Sequence, residues 1–118
     1  MHMFAAFYFV IVLTIEKEWN ISYDQLIRLW SLGALLIGLG AIPFGWLSDK
    51  WSRSGTMTIM FIGMGLASIL CGLSTSVSYL FFSLSLLGLF CSIYHPVGIP
   101  WVIHAANKQG RALGVNGI

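Results

Sequence analysis

Residues 45–54 read GWLSDKWSRS, and their reading decides the fold. Asp49, Lys50 and Arg53 fall within five positions, flanked by Trp46 and Trp51. The residues before them, 29–47, and after them, 55–73, carry no Asp, Glu, Lys or Arg. A run of about 20 apolar residues at 1.5 Å rise per residue spans the hydrocarbon of a bilayer. The charged stretch is therefore a polar turn between two membrane spans, and its tryptophans suit the membrane–water interface.

The composition supports that reading. The 118 residues are 58% apolar and 8% charged, where a soluble domain has about 25% charged residues. Too few charges are present to cover a water-facing surface. A net charge of +2 without any Lys/Arg run excludes nucleic acid as a partner. Cys71 and Cys91 stand alone inside apolar runs and read as small core residues rather than redox or metal groups. The start, MHMFAAFYFV, lacks the basic region of a cleavable signal, so the first apolar run is expected to be retained.

Outward from the quoted stretch, the expected spans are 3–19, 29–47, 55–73 and 79–103, with a fifth beginning near 112. The first is the awkward one, since its uncharged part, 3–14, is short. Either residues 16–19 serve as its interfacial end or the chain starts partway along a longer helix; the second is expected. At the other end VNGI, 115–118, opens an apolar segment that stops almost at once. The fold class is thus an all-α membrane protein of four transmembrane helices plus the start of a fifth, embedded in the lipid bilayer of the cytoplasmic membrane.

Orientation follows from loop charge. Lys50, Arg53, Lys108 and Arg111 lie in the even-numbered loops, and Lys17 and Arg28 in the odd ones, which accounts for all six basic residues. The Asp49 and Lys108 loops should face the cytoplasm. Small residues four apart (Ala34 and Gly38, Ala41 and Gly45, Gly63 and Ala67, Ser68 and Gly72) are expected to let helices approach closely. Gly45 should end the second helix, and Asp49 should precede the third, near its positive N-terminal dipole.

The spacing Gly45-x-Leu47-x-Asp49-Lys50-x-x-Arg53 resembles the signature loop between helices two and three of the major facilitator superfamily, whose usual pattern runs Gly-x-Leu-Ala-Asp-Arg-x-Gly-Arg-Lys. Ser52 stands where that pattern has glycine, and Ser54 where it has a basic residue. GLFCSIYHPVGIP, 88–100, is similar to the His-Pro-containing fourth helix of fosmidomycin-resistance-like and related members, and GRALGVNGI, 110–118, to the lead into their fifth. The resemblance implies a transporter of two six-helix halves, of which this chain is the first third, with the remaining helices as its partner. It implies secondary active transport of a small polar or amphiphilic solute by alternating access. It makes Gly45, Leu47, Asp49, Lys50 and Arg53 a conformational-switch loop, with Asp49 the latch acid, Arg53 its local partner and Gly45 a point of close approach. The arginine that many drug–proton antiporters of the superfamily carry four residues before a helix-four glycine is replaced by Leu84.

His95 is the one ionisable group well inside an expected span, directly before Pro96. Intramembrane ionisable groups mark pathways, so Tyr94, His95 and Pro96 are substrate-pathway candidates. The alternative is local: Ser92 or His95 satisfies backbone freed by the proline. His2 and His104 fall near span ends. No carboxylate pair, Ser/His/Asp set or phosphate loop is present; Ser48 and Ser52 read as helix-start residues. Gly38-Leu39-Gly40 follows no strand and is no nucleotide loop. No enzyme activity, cofactor or metal is expected. Two rivals remain. A complete four-helix small multidrug exporter requires an embedded Glu in its first helix, and Glu16 lies at the outer end. A non-transporting membrane subunit is favoured by nothing beyond the small residues.

Overall fold

A computed structural model of the chain describes residues 2–106 and 108–116, and the side chains of 6–106 and 108–115. The described elements are all helical: α1 (His2–Trp19), α2 (Tyr23–Lys50), α3 (Arg53–Gly72), α4 (Val77–Cys91), a π-helical turn (Tyr94–Gly98), α5 (Ile99–Ala105) and α6 (Gln109–Asn116). α4, the π turn and α5 follow one another as a single rod, Val77–Ala105. Tyr23–Lys50, Arg53–Gly72 and Val77–Ala105 are long and apolar enough to cross a membrane. α1 is helical through Glu16, Lys17 and Glu18 in its last turn. The side chain of His2, and the last two residues of the expected fifth span, lie outside the described residues.

Three serines start the long helices. Ser22, Ser52 and Ser76 have extended backbones, and their hydroxyls accept from Gln25 N (3.4 Å), Gly55 N (3.1 Å) and Tyr79 N (3.3 Å). Each satisfies an N–H that has no partner within its helix. Asn20, left-handed at φ 54°, ends α1, a backbone conformation that Asn tolerates better than most residues.

α2 differs from expectation at both ends. It starts at Tyr23 rather than 29 and runs to Lys50 rather than 47. Gly45 does not end it; Asp49 sits in its last turn and, as expected, a few residues ahead of α3. The connection to α3 shrinks to Trp51 and Ser52. Charge marks the edge of the hydrocarbon, whereas the helix continues while its backbone bonds are made. Its 28 residues measure about 42 Å against a hydrocarbon core of about 30 Å. Asp24 and Arg28, paired at 2.7 Å, flank its uncharged run at one end, and Asp49 and Lys50 at the other.

α4 is the central helix, packed on both α2 and α3. Met57, Met60, Met64 and Ala67 of α3 meet Leu87, Cys91 and Val97 in one core; Tyr8, Val12, Leu26, Leu80 and Leu84 form another, and Trp30 touches both. The buried hydroxyls of Ser83 and Ser85 donate to the carbonyls of Tyr79 (2.9 Å) and Phe81 (2.8 Å) one turn back, which keeps them satisfied without water.

The α2–α4 contact is made by glycine. A Cβ on Gly88 would fall 2.6 Å from Gly33 Cα, one on Gly40 2.9 Å from Ser92 Cβ, and one on Gly45 3.3 Å from Pro96 Cβ. Partner numbers rise together, so the two helices run parallel, and the Asp49 and Lys108 ends share one side of the bundle. Of the small residues expected at contacts, Gly45 (against Pro96), Gly63 (against Phe90) and the buried Ala67 are there. Gly38 and Gly72 face open space. The spacing that governs α2 is seven, Gly33 to Gly40, not four: in a helix apolar on all sides, sequence does not reveal the packed face.

Candidate functional site

The switch loop is a tight corner between two helices. Ser52 caps α3, and the Thr56 hydroxyl donates to Ser52 O at 2.7 Å. Trp51 folds back over Gly55, where a Cβ would come 2.8 Å from its ring. Leu47 is half-buried and Ser48 buried, so the inner face of the corner is packed. Ser52 is therefore a helix-start residue as expected, and Ser48 is not.

The outer face carries the charge. Lys50 Nζ lies over the Trp46 ring, 5.4 Å from its centroid, a cation–π contact. Arg53 and Asp49 pair across the corner at 3.7 Å, with 44% and 72% of their side chains exposed. That gap and exposure make the pair a weak one. Asp49 also stands at the C-terminal end of α2, where the helix dipole opposes a carboxylate. Its carboxylate is thus presented outward with little holding it, able to accept from a better donor.

Tyr94, His95 and Pro96 occupy the π turn. Pro96 lacks an N–H and crowds the carbonyl of the residue four back. The chain answers by widening: Ile99 N donates to Tyr94 O, five residues back, the mark of a π turn. Just before it the helix tightens, with Ser92 N bonded to both Gly88 O (3.1 Å) and Leu89 O (3.3 Å), and the buried Ser92 hydroxyl on Leu89 O (2.6 Å). Ser92 thus satisfies backbone beside the irregularity. Tyr94 is half-buried against the α3 core, His95 lies on the outer surface of the bundle, and their rings meet edge-on at 5.7 Å.

The structure brings the two candidate groups together at one point, Gly45 on Pro96. Three features escaped the sequence. Pro43 lies inside α2, two residues before Gly45, and a proline in an apolar run could have been flagged. The Gly33–Gly88 crossing had no visible signal. The serine caps Ser22 and Ser76 did, each standing just before a helical run. Among the described residues no three His, Cys, Asp or Glu gather as a metal site. A cavity of about 290 Å³ opens between α1, α3 and α4, lined by Phe7, Tyr8, Ile11, Cys71, Leu84 and Leu87; none of the candidate residues faces it.

The sequence profile of the Major Facilitator Superfamily matches residues 1–118. The riboflavin transporter RibZ of Clostridioides difficile (strain 630) is 28% identical over 106 residues, covering 88% of this chain and 23% of that protein. The chain therefore spans about a quarter of the length of this curated relative. No solved structure gives a significant match. An all-helical bundle with three bilayer-length helices, joined by a corner that keeps Gly45, Leu47, Asp49 and Arg53 in the signature spacing, agrees with the profile, and the chain belongs to the major facilitator superfamily.

Proposed function

We propose that residues 1–118 form part of a secondary transporter that moves a small polar or amphiphilic solute across the cytoplasmic membrane by alternating access. The observation that carries this reading is the corner between α2 and α3. It holds Asp49 outward on a rigid helix end, paired only loosely with Arg53. A carboxylate so placed is suited to a partner that is present in one conformation and absent in the other. In this reading the partner lies on the remaining helices of the transporter. The corner and Lys108 face the cytoplasm, and residue 112 onward starts a fifth span. Tyr94, His95 and Pro96 border the solute pathway, at an irregular turn where a transport helix exposes backbone.

The test is counterflow. The intact transporter is reconstituted in proteoliposomes loaded with unlabelled solute, and uptake of labelled solute is followed. The relative is named a riboflavin transporter, so riboflavin is assayed first, followed by a panel of small polar and amphiphilic solutes. Saturable counterflow of any of them supports the reading. Uptake indistinguishable from protein-free vesicles across the panel, with protein confirmed inserted, overturns it.

A further inference from the structure

The close approach at Gly45 is occupied from within the bundle, by Pro96 of the adjacent π turn. We propose that Gly45 and Pro96 form a coupling point, through which the shape of the π turn sets the position of the Asp49–Arg53 corner. The inference rests on the switch role given to that corner above.

Three of the glycines of α2 lie against its neighbour, and the room at each differs. A Cβ added at Gly33 would lie 2.9 Å from Leu84 O, one at Gly88 2.6 Å from Gly33 Cα, and one at Gly40 2.9 Å from Ser92 Cβ. Those two crossings have no room and act as fixed points. At Gly45 the nearest atom is Pro96 Cβ at 3.3 Å, so an added Cβ would require Pro96 or α2 to shift by a few tenths of an ångström. The least crowded of these contacts is thus the one against the widened π turn. From Gly45 the helix runs unbroken to Lys50, so a displacement at Gly45 is carried to Asp49 one turn on. Any change in the π turn, such as one caused by a solute beside His95, would move Pro96 first, and Pro96 bears on α2 there.

The contact predicts a pair of substitutions that compensate. Gly45→Ala adds a Cβ against Pro96; Pro96→Gly removes the atom it would strike. In the intact transporter, with Cys71 and Cys91 replaced, a single cysteine at the exposed Ser54 of α3 reports the corner through its rate of reaction with a thiol reagent. Each single variant should shift that rate, and the double variant should return toward the parent. The non-additivity should be at least about twofold, the lower end for residues in contact. Gly38→Ala, on the same helix but facing open space, should be silent. Additive effects of the two substitutions, or a shift by Gly38→Ala as large as that by Gly45→Ala, overturn the proposal. Should Gly45→Ala fail to accumulate in the membrane, recovery of accumulation in the double variant supports the contact and its absence overturns it. The readout does not depend on transport. If neutralising Asp49 leaves transport untouched, the switch role fails while the measured coupling stands.

Discussion

Replacing Asp49 with Asn separates a switch from a structural corner, because the structure bounds what the carboxylate contributes locally. Its pairing with Arg53 is exposed and 3.7 Å long; exposed ion pairs of this kind contribute about 0–1 kcal/mol. Its place in the last turn of α2 works the other way, costing about 0.3–1 kcal/mol. The two nearly cancel, so Asp49→Asn should leave accumulation and insertion of the intact transporter unchanged. A latch partner changes the arithmetic. A charge-assisted hydrogen bond made in one conformation only is worth about 1.5–3 kcal/mol. Its loss moves a two-state equilibrium roughly tenfold or more. Initial transport rates, normalised to inserted protein, should therefore fall by about that factor, with the resting population moved toward the cytoplasm-open form. Reactivity of a cysteine on the cytoplasmic side reports that shift. Lys50→Gln should do less, since Arg53 remains. Transport within twofold of the parent would refute the latch. A fall in transport matched by an equal fall in inserted protein would refute it too, since the effect would then be one of folding.

Three further expectations follow from the packing and the loop charges. Single cysteines at Asp24 and Lys108, in a background without Cys71 and Cys91, should react from opposite sides of a sealed membrane; labelling of both from one side would sink the proposed orientation. Gly88→Ala should destabilise the intact transporter by about 1–3 kcal/mol through overpacking against Gly33, whereas Gly38→Ala should stay within about 0.5 kcal/mol, both read from unfolding in detergent; equal effects would contradict the described α2–α4 face. Tyr8→Phe removes the hydroxyl that donates to Leu26 O at 2.5 Å and should cost about 0.6 kcal/mol, the average for hydrogen bonds between membrane helices; a loss above about 2 kcal/mol would show that the ring, not the bond, is disturbed.

What the sequence made legible was whatever depends on composition over a window or on residues close in the chain. The uncharged runs at 29–47 and 55–73 located two spanning helices, and Asp49, Lys50 and Arg53 located the corner between them. The local spacing of Gly45, Leu47, Asp49 and Arg53 carried the family. What remained hidden depends on partners far along the chain. Gly33 and Gly40 look no different from Gly38, because lipid and protein are both apolar and no polar face marks the buried side. The end of α2 was misplaced because Asp49 and Lys50 tell where the hydrocarbon stops, not where the backbone bonds do. His95 and Pro96 announced an irregular helix, but a widened turn rather than a kink, and its seat on Gly45, required coordinates.

The parallel crossing of α2 and α4 also constrains how the chain is made. Gly33 and Gly40 pack on α4 around Leu84, Gly88 and Ser92, which a ribosome reaches about 40 codons after Lys50. At about 5–20 residues per second, α2 waits roughly two to eight seconds with its glycine groove unfilled. Antiparallel α3 cannot fill it, since its own small face, Gly63 and Ala67, turns toward α4 as well. The small faces of the first two long helices are thus complete only once the same third helix, α4, is present.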